Sequence, residues 1–376
     1  MSPLVLATLL AMAPPQDTTP APWDSLAAFL EASVASHAFP GAVVAVGRHD
    51  TVLFVRGFGA LTYAGGPPPD AHTLYDLASL TKVVGLTTVA MMLVEEHRLD
   101  LDAPVTRYVP AFAAGGDSVT IRMLLTHASG LPAWLPLFRE VHSRQEMFDR
   151  VNATPLEAPP GSRMVYSDLG AILLTEAVEH VTGQRLDALL SRRLFRPLGM
   201  DDTRFNPPAS LRSRIAPTEN DPWRGRVLVG EVHDENAAAM DGVSGHAGLF
   251  STAADLVTFA QMMLRFGRSD ARGHGRTPVV LIDSATVAEF TRVQNPAFSS
   301  RALGWDTPSK GSSAGDELSP QAFGHTGFTG TSIWIDPTKD LFVILLTNRV
   351  HPTRQNDQIL RVRPKVADLA AEATKR

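Results

Sequence analysis

The 376-residue chain predicts an α+β fold: an antiparallel sheet flanked by helices, with an inserted and mostly helical lobe. Three observations predict it. β-Hairpin signatures lie near both ends of the chain, at 41–59 and 331–348. Helical apolar periodicity fills the middle. The alternating strand–helix units of a parallel-sheet architecture are absent.

Residues 4–13 (LVLATLLAMA) form a short apolar run ending in Ala11-Met12-Ala13, which reads as the apolar region and cleavage site of a secretory signal. No Lys or Arg precedes it. The Pro-rich stretch 14–22 reads as a linker, so 1–22 is expected to be leader and linker, and the mature protein periplasmic or secreted. The run is too short for an integral membrane span, which needs ~20 residues.

Asp24 is placed to cap a helix over 25–37, with Leu26, Phe29, Leu30 and Val34 on one face. In 41–59, two β-branched runs flank Arg48-His49-Asp50, the expected turn. Residues 80–97 read as a strongly apolar helix, and 99–135 as short helices and turns. Further helices fit 169–182, stopped by Gly183, and 186–195. Ser251 or Thr252 caps a helix over 253–266, and Ser284 one over 285–291. The stretch 305–320, rich in Ser and Gly, reads as a mobile loop. The second hairpin turns at Pro337–Asp340, and the tail 355–374 is helical in pattern.

Composition removes several function classes. With 34 basic and 39 acidic residues the net charge is −5, so electrostatics supply no reason to bind nucleic acid. There is no Cys, which excludes thiolate nucleophiles, disulfides and Cys-ligated zinc. Only five of the basic residues are Lys. One of them, Lys82, sits at the head of the apolar stretch Val83–Val94, where a solvated lysine is not expected.

Three short elements carry chemistry. Ser79 and Lys82 are spaced i,i+3 at a helix start, so their side chains can touch. A serine needs a base to become a nucleophile, and a lysine amine can serve if burial and the helix dipole lower its pKa. The bland reading is a Ser cap followed by an ordinary amphipathic Lys. Tyr166-Ser167-Asp168 precedes an apolar helix. Tyr166 can share the general-base task beside a lysine ammonium, and Asp168 can hold that ammonium. Alternatively Tyr166 anchors a turn and Asp168 is a helix N-cap. His325-Thr326-Gly327-Phe328 starts the last strand pair. Glycines there let a ligand approach backbone N–H groups. Otherwise it is a Gly-rich turn with a surface His.

Together, in this order and at these separations, the three elements resemble the serine β-lactamase and penicillin-binding-protein superfamily. The resemblance points to its class C β-lactamase-related branch of serine esterases, D-aminopeptidases and DD-carboxypeptidases. Leu124–Pro132, Arg196–Met200 and Gly245–Ser251 resemble it as well, and the likeness covers about 23–350. It implies a β-lactamase/transpeptidase-like fold, with 23–376 forming one catalytic domain of two lobes and the site between them. Ser79 would be the acylated nucleophile, Lys82 its partner and Tyr166 the base or proton shuttle. The N–H groups of Ser79 and Phe328 would form the oxyanion hole. Asp168, His325, Thr326 and Gly327 would line the substrate. The implied chemistry is two-step acyl transfer to water, with no metal or other cofactor, on a small-molecule or peptidoglycan-like ester or amide.

Two residues depart from the family pattern. Asp168 stands where Asn is usual, and its charge would keep Lys82 protonated and shift the base role towards Tyr166. His325 stands where β-lactamases usually have Lys, and a neutral His attracts a carboxylate less well than an ammonium does. Both changes disfavour β-lactam hydrolysis and fit an uncharged group better. β-Lactamase or DD-carboxypeptidase activity, and a non-hydrolytic penicillin-binding-like sensor, are the competing readings. Gly311-Ser312-Ser313-Ala314-Gly315 matches an α/β-hydrolase nucleophile pattern but lacks the strand before and the helix after. Glu231–Asn236 with His246 lacks metal-site spacing and reads as a polar loop lining the cleft. His127 reads as part of a structural turn. Oligomeric state is not written in the residues.

Overall fold

The computed structural model describes residues 22–113, 115–269, 278–297 and 299–375. The expected leader, residues 1–21, lies outside them.

Both hairpins form, and they join into one sheet. Strands β1 (Gly41–Gly47) and β2 (Val52–Gly59) come from the start of the chain. Strands β3 (Phe323–Thr326), β4 (Ser332–Asp336) and β5 (Leu341–Thr347) come from its end. Their order is β3-β4-β5-β1-β2, and every neighbouring pair is antiparallel. The two chain ends meet at β1 and β5, with Ala42 opposite Thr347 and Val46 opposite Val343.

Strands β1 and β5 are buried along their whole length, because both faces of the sheet are covered. Val43, Ala45, Ile344 and Leu346 face the large core of the helical lobe. Ala42, Val44, Val46, Val343 and Leu345 face helices α1 (Asp24–Ala35) and the C-terminal α5 (Ile359–Ala373). Alternation along each strand thus serves two cores at once.

The helix that follows Ser79 runs over 80–95 and differs from a plain α-helix. Lys82–Thr87 is π-helical, and regular α geometry resumes as α2 (Thr88–Glu95). The Thr88 hydroxyl donates to the Val83 carbonyl at 2.8 Å, using an acceptor that the widened turns leave accessible. Helix α3 (Asp168–Thr182) ends at Gly183, whose φ of 64° is the left-handed stop its residue type predicts. Thr252 caps α4 (Ala253–Leu264), its hydroxyl accepting from the Asp255 N–H at 3.2 Å. Asp24 is the first residue of α1 instead of its cap; Trp23 holds the cap position with no side-chain hydrogen bond. Among the described residues no helix is long and apolar enough to cross a membrane.

The stretch 305–320 is anchored, contrary to its composition. Asp368 of α5 accepts from the Asp316 and Glu317 N–H groups, Asp336 accepts from Ser319, and Trp305 is fully buried. Ser313 accepts from the Trp334 indole at 3.2 Å, which gives it a structural task.

Candidate active site

A small sheet seats the nucleophile corner. Tyr75–Asp76 pairs with Leu249–Ser251, and the Leu77 N–H continues the ladder to the Leu249 carbonyl at 2.9 Å. The chain then turns sharply through Ala78, whose φ is 46°. A non-glycine residue there costs on the order of 1 kcal/mol or more, so something must hold it. Asp76 does: its carboxylate accepts from the Ala78 N–H at 2.8 Å and from the His233 N–H at 2.6 Å. Thr329 and Thr331, just beyond β3, donate to the Asp76 and Leu77 carbonyls. The corner and the end of β3 are therefore tied together.

Ser79 follows directly, and Lys82 starts the π-helical turn. Lys82 is 3% exposed. Its ammonium donates to Ser79 Oγ at 3.0 Å and to the His246 carbonyl at 3.0 Å, and pairs with Asp168 at 2.6 Å. These contacts match its three N–H donors. Burial alone would lower its pKa and is the largest single influence, as composition suggests. The Asp168 carboxylate and Tyr166 outweigh burial and hold the ammonium above its ordinary value. Lys82 is therefore a cation at neutral pH.

Asp168 is free to make this pair because it is not the helix cap. Ser167 is, accepting from the Gly170 N–H at 3.1 Å. Tyr166 is set by His127, a left-handed residue with φ 56°. The His127 carbonyl accepts from the Val165 N–H and its Nδ1 accepts from the Ser167 N–H at 3.1 Å. The two rings lie 4.5 Å apart. His127 thus brackets Tyr166 on both sides. Lys82 Nζ sits 4.9 Å from the Tyr166 ring centre, and the Tyr166 hydroxyl is buried with no partner among the described residues.

Strand β3 is the sheet edge facing this cluster. Its outer side pairs with Asp306 at Gly324. Thr326, two residues on, points its backbone the same way and is the next position open to a ligand. His325 is buried, and its Nδ1 lies 2.8 Å from the Thr326 carbonyl, which can only accept. The proton therefore sits on Nδ1, and Nε2 is an unprotonated acceptor with no partner among the described residues. Burial, then Arg301 and Lys82, push its pKa well below the ordinary histidine value. Gly327 is required: a Cβ there would lie 2.3 Å from the Leu77 carbonyl. The Phe328 ring is exposed, stacked on His233 at 5.6 Å and covered by the Arg349 guanidinium at 4.3 Å. The N–H groups of Ser79 and Phe328 make no hydrogen bond among the described residues.

Ser79, Tyr166 and Phe328 stand where two cavities meet. One, of about 480 Å³, holds His325, Thr326, Gly327 and Arg301. The other, of about 360 Å³, holds Asp168, His233, Asp234, His246 and Trp134. All eight residues singled out from sequence thus belong to one site, with Lys82 beneath its floor.

Sequence reasoning missed Arg301 and Arg363, and saw His246 and Asp234 only as a polar loop lining the cleft. Arg301 lies 5.3 Å from the Tyr166 ring, with Asp306 no closer than 3.7 Å and its Nη1 unpartnered among the described residues. His246, whose carbonyl holds Lys82, is fixed by Ser244 on one ring nitrogen (2.7 Å) and Asp234 on the other (2.8 Å). Arg363 donates to the Gly327 and Thr331 carbonyls; burial and Arg349 bring its pKa down to about 9. Arg301 and Arg363 come from a loop and from the C-terminal helix, and no local spacing marks them. Among the described residues no three His, Asp or Glu side chains converge as a metal ion would need.

Known proteins share the sequence and fold that carry this arrangement. Residues 26–367 match the beta-lactamase family model. Relatives from Salmonella schwarzengrund and Salmonella typhi, provisionally named D-alanyl-D-alanine carboxypeptidases, are each 36% identical over 321 residues, 77% of this chain and 72% of the relative. A penicillin-binding-protein homologue from Caulobacter crescentus superposes with a TM-score of 0.75 at 22% identity, over 94% of this chain and 98% of the other. Unliganded simvastatin synthase from Aspergillus terreus gives 0.69 at 22% identity, over 95% and 99%. EstCE1, described as a hydrolase with promiscuous acyltransferase activity, gives 0.71 at 21% identity, over 92% and 98%. These three likenesses establish the fold, and the family match establishes more: the chain belongs to the beta-lactamase family and is a serine hydrolase.

Proposed function

We propose that the protein hydrolyses peptide-like amides ending in a free carboxylate, through an acyl-enzyme on Ser79. Lys82, held as an ammonium, cannot take the Ser79 proton. It orients Ser79 Oγ by donating to it and stabilises the negative charge that develops there. Tyr166 is then the shuttle. Its oxygen receives the Ser79 proton while its own proton passes to the leaving nitrogen, as the Oγ–carbon bond forms and the carbon–nitrogen bond breaks. Water attacks the ester next, and its proton returns by the same oxygen to Ser79. The free N–H groups of Ser79 and Phe328 receive the oxyanion in both steps.

The observation that carries the substrate class is Arg301. The departures at positions 168 and 325 by themselves favour an uncharged substrate. Arg301 lines the same cavity with an unpaired Nη1 and supplies the cation that His325 lacks. The carboxypeptidase name of the Salmonella relatives supports the same reading.

The test compares an N-acetylated peptide ending in D-Ala-D-Ala with its C-terminal amide. The free acid should be cleaved roughly 10–100-fold faster in kcat/KM, the worth of one charge-assisted contact. Arg301→Ala should erase the difference. Equal rates in the native enzyme would reject the carboxylate reading. Turnover of p-nitrophenyl acetate alone, with neither peptide cleaved, would make the enzyme an esterase.

A further inference from the structure

Beyond Trp134 the second cavity opens into a wider trough of about 1090 Å³, and Trp134, Glu235 and Arg354 line both. Its walls are aromatic. Phe138 is buried between two indoles, with Trp223 at 4.7 Å and Trp134 at 6.5 Å. Both indoles are conspicuously open, Trp134 at 43% and Trp223 at 47% exposure. Here the two open indoles and Phe138 adjoin one another, and contiguous exposed apolar surface rimmed by polar residues is the character of a ligand groove. Arg139, His142 and Asp241 stand on the rim, and all three are exposed.

We propose that this trough is a subsite for a sugar ring carried on the acyl side of the scissile bond. This rests on the function proposed above. If the terminal carboxylate lies in the Arg301 half of the cleft, the acyl half of the substrate must run the other way from Ser79, past Trp134. The trough is the continuation of that path. Its chemistry selects the occupant. A pyranose offers an apolar face of C–H groups to an indole and a rim of hydroxyls to charged side chains. A plain alkyl chain would cover the indoles but strip water from Arg139, His142 and Asp241 without pairing them, which costs free energy. Rim groups of both signs suit hydroxyls, which donate and accept.

Two measurements test it. The first titrates the native protein with N,N′-diacetylchitobiose and follows tryptophan fluorescence. Saturable quenching that Trp223→Ala abolishes is expected. The second compares kcat/KM for a D-Ala-D-Ala peptide with and without an N-acetylmuramyl group at its amino end. The sugar-bearing substrate should be preferred, and Trp223→Ala should cut that preference up to about tenfold, the worth of one good aromatic contact. Trp134→Ala should act in the same direction. No saturable quenching together with no preference overturns the proposal. So does a Trp223-dependent preference for p-nitrophenyl octanoate over the acetate in the absence of quenching, which would make the occupant an alkyl chain. If neither peptide is cleaved, the carboxypeptidase reading has failed, and the chitobiose titration alone decides the subsite.

Discussion

Asp168→Asn changes one atom and removes the counterion of a buried ammonium. The pair is 2.6 Å apart, with Lys82 3% and Asp168 18% exposed. At an effective dielectric constant near 20, two charges at that distance attract by on the order of 6 kcal/mol. Desolvation cancels part of this, and the Asn amide oxygen can still accept a hydrogen bond. The net loss should be about 2–4 kcal/mol of stability, within the range for breaking a partly buried pair. Lys82 should also become more acidic, because burial is then opposed by Tyr166 alone. The native pKa is raised, so the pair stabilises fully below the unfolded lysine value of ~10.4 and weakens only as pH rises through the folded value. The deficit of the variant is therefore complete at pH 7 and is measured there by urea unfolding. The same shift appears in kcat/KM against pH with p-nitrophenyl acetate. An ammonium that orients Ser79 predicts that the alkaline limb of the variant moves to lower pH. If the variant instead gains activity as pH rises, neutral Lys82 is the base and the assignment of the shuttle to Tyr166 is wrong. An unchanged profile and unchanged stability would show that the ion pair contributes nothing.

Two further perturbations test the frame around the site. His325 and His127 are buried and held neutral, their pKa values pushed well below ordinary by burial first and then by Arg301 and Lys82. Below pH ~6.5 the unfolded chain takes up protons that these rings refuse, so stability falls as pH falls, by about 1.4 kcal/mol per pH unit for each. His325→Gln should lose about 2 kcal/mol less between pH 7 and pH 5 than the native protein, by urea unfolding at the two pH values; parallel losses would mean that His325 titrates normally. Gly327→Ala would drive a methyl group into the Leu77 carbonyl and part β3 from the nucleophile corner. It should cost about 1–3 kcal/mol and lower kcat well beyond that of Gly311→Ala, a control that carries the backbone strain of a positive φ but whose new methyl meets nothing within 4 Å. Equal activities would separate the strand from catalysis.

Much of this was legible in the residues because it is local. Period-two patterning with a turn marks the β1–β2 and β4–β5 hairpins, and capping chemistry marks the ends of α3 and α4. The Ser79–Lys82 spacing brings its side chains together whether the turn is α or π. What was not legible depends on partners far along the chain. The anchoring of 305–320 rests on Asp368, some fifty residues on, so a Ser- and Gly-rich composition misled. The protonated state of Lys82 was legible from the carboxylate at position 168, but that burial is its largest single influence, and is still outweighed, needs the packed site. Arg301, Trp134 and Trp223 come from separate loops, and nothing in their immediate neighbourhoods marks these particular side chains, whereas Asp234 falls in the polar stretch expected to line the cleft. The cap of α3 falls on Ser167 because its shorter side chain reaches the Gly170 N–H, which leaves the adjacent carboxylate to the lysine.

The assignment of Ser79 as nucleophile is tested most directly by trapping the intermediate. The protein is mixed with p-nitrophenyl acetate, quenched in acid within the first turnovers, digested and analysed by mass spectrometry. One acetyl group should appear on Ser79, and Ser79→Ala should abolish both the adduct and turnover. An adduct on another residue, or turnover that survives Ser79→Ala, would contradict the proposed chemistry at its first step.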